Sequence, residues 1–411
     1  MNLKIFSAVL FFCMASSQSF AQDQKLLLAE LNKLNNEIRA ESNEKSVLNK
    51  LLALQTLQNK YQNNPYANIL FPQLIAEELS YLNMHVESIE AISEAKDDKE
   101  NIDFNINDYT ISSVENSLYM YFRNANIVMV NEAHHIDQHR VFTLNILEYM
   151  WEQGFRYLAL ESLSENFEEG VKDKYVTQEV GSYSKSAFMA MMILHARDLG
   201  FKLISYDYKK SDSSDQREEN AARTIFDKVF KQDPNAKILI HCGYSHIDEE
   251  NKLASKLFSI TGHDPVTINQ TDLRESTKGK ESPIYTAISN KLTQSSPIVL
   301  LDKSQKPWSF KPNTYDVNVI WPRMKKDNER QSWEKLNRKT KIIKANICVN
   351  YPCMIEAFNT EEDAKALPQD RIVIWNKNHN VTLFYNDKLF IKVTESEPLV
   401  LDSSFNEKVT Y

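Results

Sequence analysis

Four apolar residues in a row, Ile127, Val128, Met129 and Val130, run directly into Asn131, Glu132, His134, His135, Asp137 and His139. An apolar run bounded by polar residues predicts a strand buried on both faces. Its polar exit is costly unless those groups meet water, a ligand or one another. The pattern recurs: FRYLALE ends at Glu161, FKLISYD ends at Asp207, and KILIHCGYSH passes His241 and Gly243 to reach His246. PVTINQTD reads as a last strand of this kind. Between these segments, Val141, Leu144, Leu147 and Met150 recur at helical spacing, as do Phe188, Met191, Met192 and Leu199, and then Ala221, Ala222, Ile225 and Val229. Gly154, Gly200 and Gly262 stand where helices should stop. Strands alternating with helices predict an α/β fold with a mostly parallel sheet flanked by helices. Parallel strands bring their C-terminal ends to one edge, where ligands bind. Glu132, Glu161, Asp207 and His246 should therefore meet there although they are far apart in sequence.

The flanks have a different character. Residues 22–104 carry leucines at helical spacing, broken at Pro65 and Pro72, with a further amphipathic segment from Leu74 to Ala95. This predicts an N-terminal helical module, a candidate for protein contact. Residues 105–280 read as the α/β core that carries the expected active site. Residues 281–411 alternate short apolar pieces with polar turns, which predicts a mostly β C-terminal appendage with a hairpin turn at Tyr385-Asn386-Asp387-Lys388. Residues 1–21 combine Lys4, an apolar run from Ile5 to Met14 and a small-x-small site at Ser19-Phe20-Ala21. That is the pattern of a cleaved signal peptide, and it predicts an exported chain, periplasmic or secreted. No later apolar stretch is long enough to span a bilayer.

Composition changes this picture little. The 411 residues are 42% hydrophobic and 25% charged, with a net charge of -8. That balance gives no reason to expect nucleic acid as a partner. Glycine-rich phosphate loops and a G-x-S-x-G elbow are absent, so neither a nucleotide site nor a serine acyl-enzyme is expected. Cys348 and Cys353 flank Val-Asn-Tyr-Pro; an oxidising compartment would permit a disulfide, and two reduced thiols are the alternative. Cys242 reads as a small buried residue.

Glu132 and Glu161 are expected to form a carboxylate pair, in which proximity raises one pKa and suits general acid–base work. His134, His135 and His246 are candidate bases. His139, Asp207, Arg217 and Tyr244 are candidate ligand-binding residues, Arg217 for an anionic group or for pairing with Glu218 or Glu219. His241 reads as structural, pointing into its strand. Glu132, His134, Glu161 and His246 are also candidate ligands for a divalent metal, though their spacing matches no zinc signature.

At these residues the chain resembles the superfamily that joins erythromycin esterase-like proteins, ChaN-like haem-binding uptake proteins and Tiki-type proteins. Asn131-Glu132-Ala133-His134 is similar to the ChaN-like opening, with Asn131 in place of glycine. His135 falls at the position of the esterase-like form, and His139 at that of a ChaN-like histidine. Leu-Ala-Leu-Glu161 is similar to the second carboxylate motif. Arg217 and Gly243-Tyr244-Ser245-His246 are similar to a later pair of motifs, with Ser245 in place of a glycine. The resemblance spans about residues 110–275. It implies a hydrolase of small-molecule or peptide substrates, in which histidine activates water and glutamates orient it, or a metal-dependent peptidase in the Tiki-like form. The same cleft in a ChaN-like protein implies binding of haem or another small ligand without turnover.

Overall fold

The computed structural model describes residues 45–92, 104–209, 213–277, 280–325, 330–359 and 365–397, together with 33, 34, 36–38, 40 and 211. The expected signal peptide, 1–21, lies outside the described residues. From residue 45 onward the chain forms α1 (Val47–Lys60), α2 (Ala67–Tyr81) and α3 (His85–Ala91). Pro65 separates the first two, but Pro72 lies inside α2 and does not end it. A proline there removes a hydrogen bond at a cost of about 3 kcal/mol. Burial of Leu70, Phe71, Leu74, Ile75 and Leu79 along the same helix offsets that cost. The segment from Leu74 does not continue unbroken to Ala95; it turns at Asn83, which has φ +57°.

The core follows as β1 (Thr110–Ser113), α4 (Val114–Asn124), β2 (Ile127–Glu132), α5 (Asp137–Glu152), β3 (Tyr157–Leu160), α6 (Ala187–Leu199), β4 (Lys202–Ser205) and α7 (Ser214–Ile225). It continues with β5 (Ile238–Gly243), α8 (Leu253–Thr261), β6 (Val266–Asn269), α9 (Pro283–Ser289), β7 (Ile298–Leu301) and β8 (Val317–Asn318). Six strands form one sheet in the order β4-β3-β5-β2-β6-β8, with every pairing parallel. The α/β class read from the apolar runs is therefore present.

Strand alternation explains both helical layers. Val128, Val130, Leu158 and Leu160 pack with α4, α5 and α6. Ile127, Met129, Ala159, Ile238 and Ile240 face the other way and pack with α7 and α8. Each fully buried aliphatic side chain contributes about 1.5–3 kcal/mol, so both faces of the central strands stabilise the sheet. Ser186 caps α6 by accepting from Met189 N–H, and Gly200 ends that helix at φ +100°, where a Cβ would press on the Trp151 ring at 2.9 Å.

The sheet does not end at residue 280. β8 pairs with β6, and β7 pairs with β1. The chain closes with β9 (Lys339–Ile343), β10 (Cys353–Phe358), β11 (Asp370–Ile374), β12 (Val381–Tyr385) and β13 (Phe390–Glu395). These form a three-stranded sheet, β11-β10-β13, and a pair, β12-β9. The hairpin expected at Tyr385–Lys388 is not formed, because β12 and β13 belong to different sheets. The Gln369 side chain takes the turn's backbone instead, accepting from Asn386 N–H and donating to Lys388 O. Cys348 and Cys353 are joined as a disulfide. The first and last parts of the chain pack together: Leu48, Leu51, Phe71 and Leu74 share a core with Met354 and Val373.

Candidate functional site

The site lies where β2, β3 and β5 end side by side. Register places Glu132 opposite Gly243, and Leu160 opposite His241, so Glu161 follows beside the same strand end. Among the described residues no helix is long and apolar enough to cross a membrane.

Glu132 is buried and fully engaged. One oxygen, Oε1, accepts from Arg140 Nη2 at 2.9 Å and from His134 Nδ1 at 2.8 Å. The other, Oε2, accepts from Arg140 Nε at 2.7 Å and from His241 Nε2 at 2.8 Å. A carboxylate offers about four acceptor positions, and all are taken. Burial pushes its pKa up, but Arg140, His134 and His241 outweigh burial and hold it well below the usual range. Arg140 also donates to Asp137 Oδ1 at 2.7 Å, and that oxygen accepts from Ser186 as well. His241 Nδ1 accepts from the Thr143 hydroxyl at 2.8 Å. His241 therefore keeps the structural place read from its strand and, through Glu132, reaches the site from there.

Glu161 sits in a second cage. Arg217 Nη2 donates to its Oε1 at 2.6 Å and Gly243 N–H to its Oε2 at 2.6 Å. Arg217 also clamps Asp207 through Nε and Nη2. It does not pair with Glu218; that carboxylate meets His246 Nδ1 at 2.8 Å. The second nitrogen of His246 lies 3.6 Å from Glu161 Oε1. Burial opposes the charge on His246, yet Glu161 and Glu218 push its pKa up to about 10, so it is a cation near neutrality and not a base. Burial likewise opposes the charge on Glu161, and His246 and Arg217 prevail to hold its carboxyl well below the usual range. The expected carboxylate pair with one raised pKa is therefore replaced by two carboxylates in separate cationic cages.

His134 lies between the cages. Its Nδ1 is bound to Glu132, and its ring stacks on Tyr183 at 4.1 Å between centroids with 12° between planes. Tyr244 meets the same ring edge-on at 5.2 Å. Tyr183 and Tyr244 both have positive φ, +54° and +39°, a conformation costly for bulky residues. Gly243 makes the close approach feasible. A Cβ there would lie 2.7 Å from His134 Nε2 and 3.1 Å from Glu161 Oε2. Both atoms thus lie close to one point above the bare glycine backbone. A cavity of about 10 Å³, roughly the space of a single water, is bounded by Glu132, His134, Glu161, Tyr183, His241 and Met189. Ser162 borders it too and donates only to the weak acceptor Met189 Sδ, at 3.6 Å. Burial pushes the neighbouring Cys242 thiol well up, away from a nucleophilic thiolate.

Asp207, Arg217, Tyr244 and His246 stand behind the residues that line this cavity, and neither His135 nor His139 lines it. His135 is buried, with its pKa pulled well down by burial and by Arg274, and its carbonyl accepts from Ser88. His139 is buried with Nδ1 accepting from Ala133 N–H at 2.9 Å. Asn131, in the place of a glycine, ties the strand end to Tyr244 O and Thr271. The metal candidates do not suit a cation. Glu132 has no acceptor position left, His246 is itself charged, and among the described residues no group of three His, Cys, Asp or Glu side chains is placed to hold a metal ion.

No family model matches the chain, and no curated protein does. Similar solved structures include a bacterial protein toxin, 13% identical over 38% of this chain and 36% of that one, with a TM-score of 0.30. The type III effector HopBA1 is 12% identical over 42% of this chain and 89% of that one, TM-score 0.30. RRSP, a MARTX toxin effector domain from Vibrio vulnificus CMCP6, is 14% identical over 47% of this chain and 44% of that one, TM-score 0.29. The chain spans about a third of the length of the first of these. Likeness at this level assigns neither family nor activity.

Proposed function

We propose that the chain is an exported hydrolase of the erythromycin esterase-like and ChaN-like kind, in which His134 activates water against an ester or related acyl bond. One observation carries this reading: His134 Nδ1 is held by Glu132 at 2.8 Å, which leaves Nε2 as the acceptor, at the cavity. In the proposed step, Nε2 takes a proton from water while the water oxygen bonds to the acyl carbon. The imidazolium then returns that proton to the leaving group as the acyl bond breaks. Glu132 is not the base, since its lone pairs are filled; it fixes the tautomer and stabilises the imidazolium. Arg140 and His241 hold Glu132 in place. Glu161 keeps one lone pair of Oε2 for the cavity and orients the water, balanced by Arg217 and His246. Export is proposed from the composition of residues 1–21 alone.

Haem binding in the same cleft has less support. His139, the histidine placed for it, is enclosed and bonded to Ala133. The test is release of product from a panel of activated esters and small amides by the purified chain. Turnover lost on His134→Asn and on Glu161→Gln, with the circular dichroism spectrum unchanged, supports the reading. Turnover that survives both substitutions would sink it.

A further inference from the structure

The cavity at His134 is too small for any acyl substrate, and the segment that closes it is 161–186, the long connection between β3 and α6. Tyr183 of this segment covers the His134 ring. The segment's two ends are zipped together. Ser164 N–H donates to Val180 O and Ser182 N–H to Ser162 O, both at 2.8 Å, around an antiparallel bridge between Leu163 and Gly181. Gly181 has φ +144°, and a Cβ there would meet Ser162 O at 2.0 Å, so the zip depends on glycine. The middle of the segment is held from outside by the C-terminal region. Leu367 N–H donates to Val176 O at 2.7 Å, Gln178 N–H donates to Lys365 O at 3.3 Å, and Thr177 faces Ala366 as an antiparallel bridge. Lys365 pairs with Glu179 beside them. Arg371 of β11 donates to Lys185 O, two residues past Tyr183.

We propose that residues 162–186, hinged just after the caged Glu161, are a lid over His134 and that residues 365–367 are the latch that keeps it shut, so that the C-terminal region controls access to the site. Val176, Thr177, Ala366 and Leu367 are buried at the latch, but Gln178, Glu179 and Lys365 beside them are exposed, and the two segments meet at an isolated bridge without a strand ladder, so this contact opens locally at lower cost than the central sheet. Release of the latch frees the lid's middle, and the positive-φ backbone at Tyr183 relaxes as its ring leaves His134. The proposal rests on His134 being the reactive group of the hydrolase reading, but its test does not use hydrolysis.

The test is carbethoxylation of His134 by diethyl pyrocarbonate, followed by peptide mass spectrometry with His263 as the internal reference. In Thr177→Cys/Ala366→Cys the bridge partners are close enough for a disulfide. The oxidised form should modify His134 more slowly than the reduced form by about tenfold, the scale of suppressed local opening. Lys365→Glu, which sets like charges beside Glu179, should instead speed the modification, as should Tyr183→Ala. Equal rates in the oxidised and reduced double variant, with His263 unchanged, overturn the latch. Ester turnover that persists in that case leaves the hydrolase reading standing without it. Absence of turnover combined with a tenfold redox effect leaves the lid standing without the hydrolase.

Discussion

His134 Nδ1 lies 2.8 Å from Glu132 Oε1, and the opposite oxygen of that carboxylate lies 2.8 Å from His241 Nε2. One anion therefore sets two imidazoles, and their roles differ because their other nitrogens differ. His241 spends its second nitrogen on Thr143, whereas His134 presents its own at the cavity. Glu132→Gln would replace an acceptor of four hydrogen bonds by an amide with one acceptor oxygen and an NH2 group facing two donors. We expect ester turnover to fall by about 10⁴-fold, the scale of losing the tautomer-fixing carboxylate in a catalytic triad. His241→Gln should cost less, since Arg140 still holds Glu132. Comparing kcat/KM of the two variants, with thermal melts for each, checks the order. Equal losses would contradict it.

Gly243→Ala separates geometry from chemistry. The added Cβ would lie 2.4 Å from His134 Cε1 and 3.1 Å from Glu161 Oε2. His134 cannot yield freely, since Tyr183 stacks on one face and Tyr244 abuts its edge. A displacement of about 1 Å in a catalytic group costs about 10²-fold in rate. The expected outcome is a folded protein with turnover lowered by about that factor. A fully active Gly243→Ala variant would show that His134 does not work at this position.

The apolar pattern made the sheet legible because each strand is buried on both faces, and alternate residues such as Val128 and Met129 serve opposite helical layers. Parallel pairing then brought Glu132, Glu161 and His246 to one edge. What stayed hidden depended on partners distant in sequence. Arg140 sits one turn into α5 and looks like an ordinary helix charge until Glu132 and Asp137 enclose it. The i,i+3 spacing of Asp137 and Arg140 was the one available signal. His241 lies inside an apolar run, so periodicity alone assigns it to the core. Tyr183 belongs to a connection with no period at all. Local preference ends a helix at Pro72, whereas burial of Leu70, Phe71 and Leu74 carries this one through it.

The protonated state of His246 has a pH signature. Its pKa stands at about 10, above the ordinary 6.5, because Glu161 and Glu218 outweigh burial. A raised value means the folded state binds the proton more tightly than the unfolded chain does. The resulting stabilisation is present in full below pH 6.5 and is lost as pH rises through about 10. Urea denaturation at a series of pH values should show this decline in the wild type and a shallower one in His246→Gln. Identical slopes from neutrality to pH 10 would contradict the cage. Glu161, held below its ordinary value, acts in the opposite window: its contribution is present above 4.5 and is lost as pH falls through its depressed pKa.

Arg140 links the Glu132 carboxylate to the rest of the fold. It is wholly buried, forks onto Glu132, reaches Asp137 with Nη1, and donates to His134 O at 2.8 Å. Removing one partner of a buried pair leaves an uncompensated charge, which costs about 3–5 kcal/mol. Arg140→Met should therefore destabilise by about that amount, read as a lowered urea midpoint with an unchanged m-value. Glu132→Gln in the same chain removes one of the two stranded anions, so the double variant should lose less than the sum of the single losses. Lysine keeps the charge but not the fork, and one ammonium cannot meet both Glu132 oxygens and Asp137 together. Arg140→Lys should accordingly regain stability over Arg140→Met while turnover stays low, because His134 would have lost the rigid anion that orients it. Additive losses in the double variant, or full turnover in Arg140→Lys, would separate Arg140 from the site.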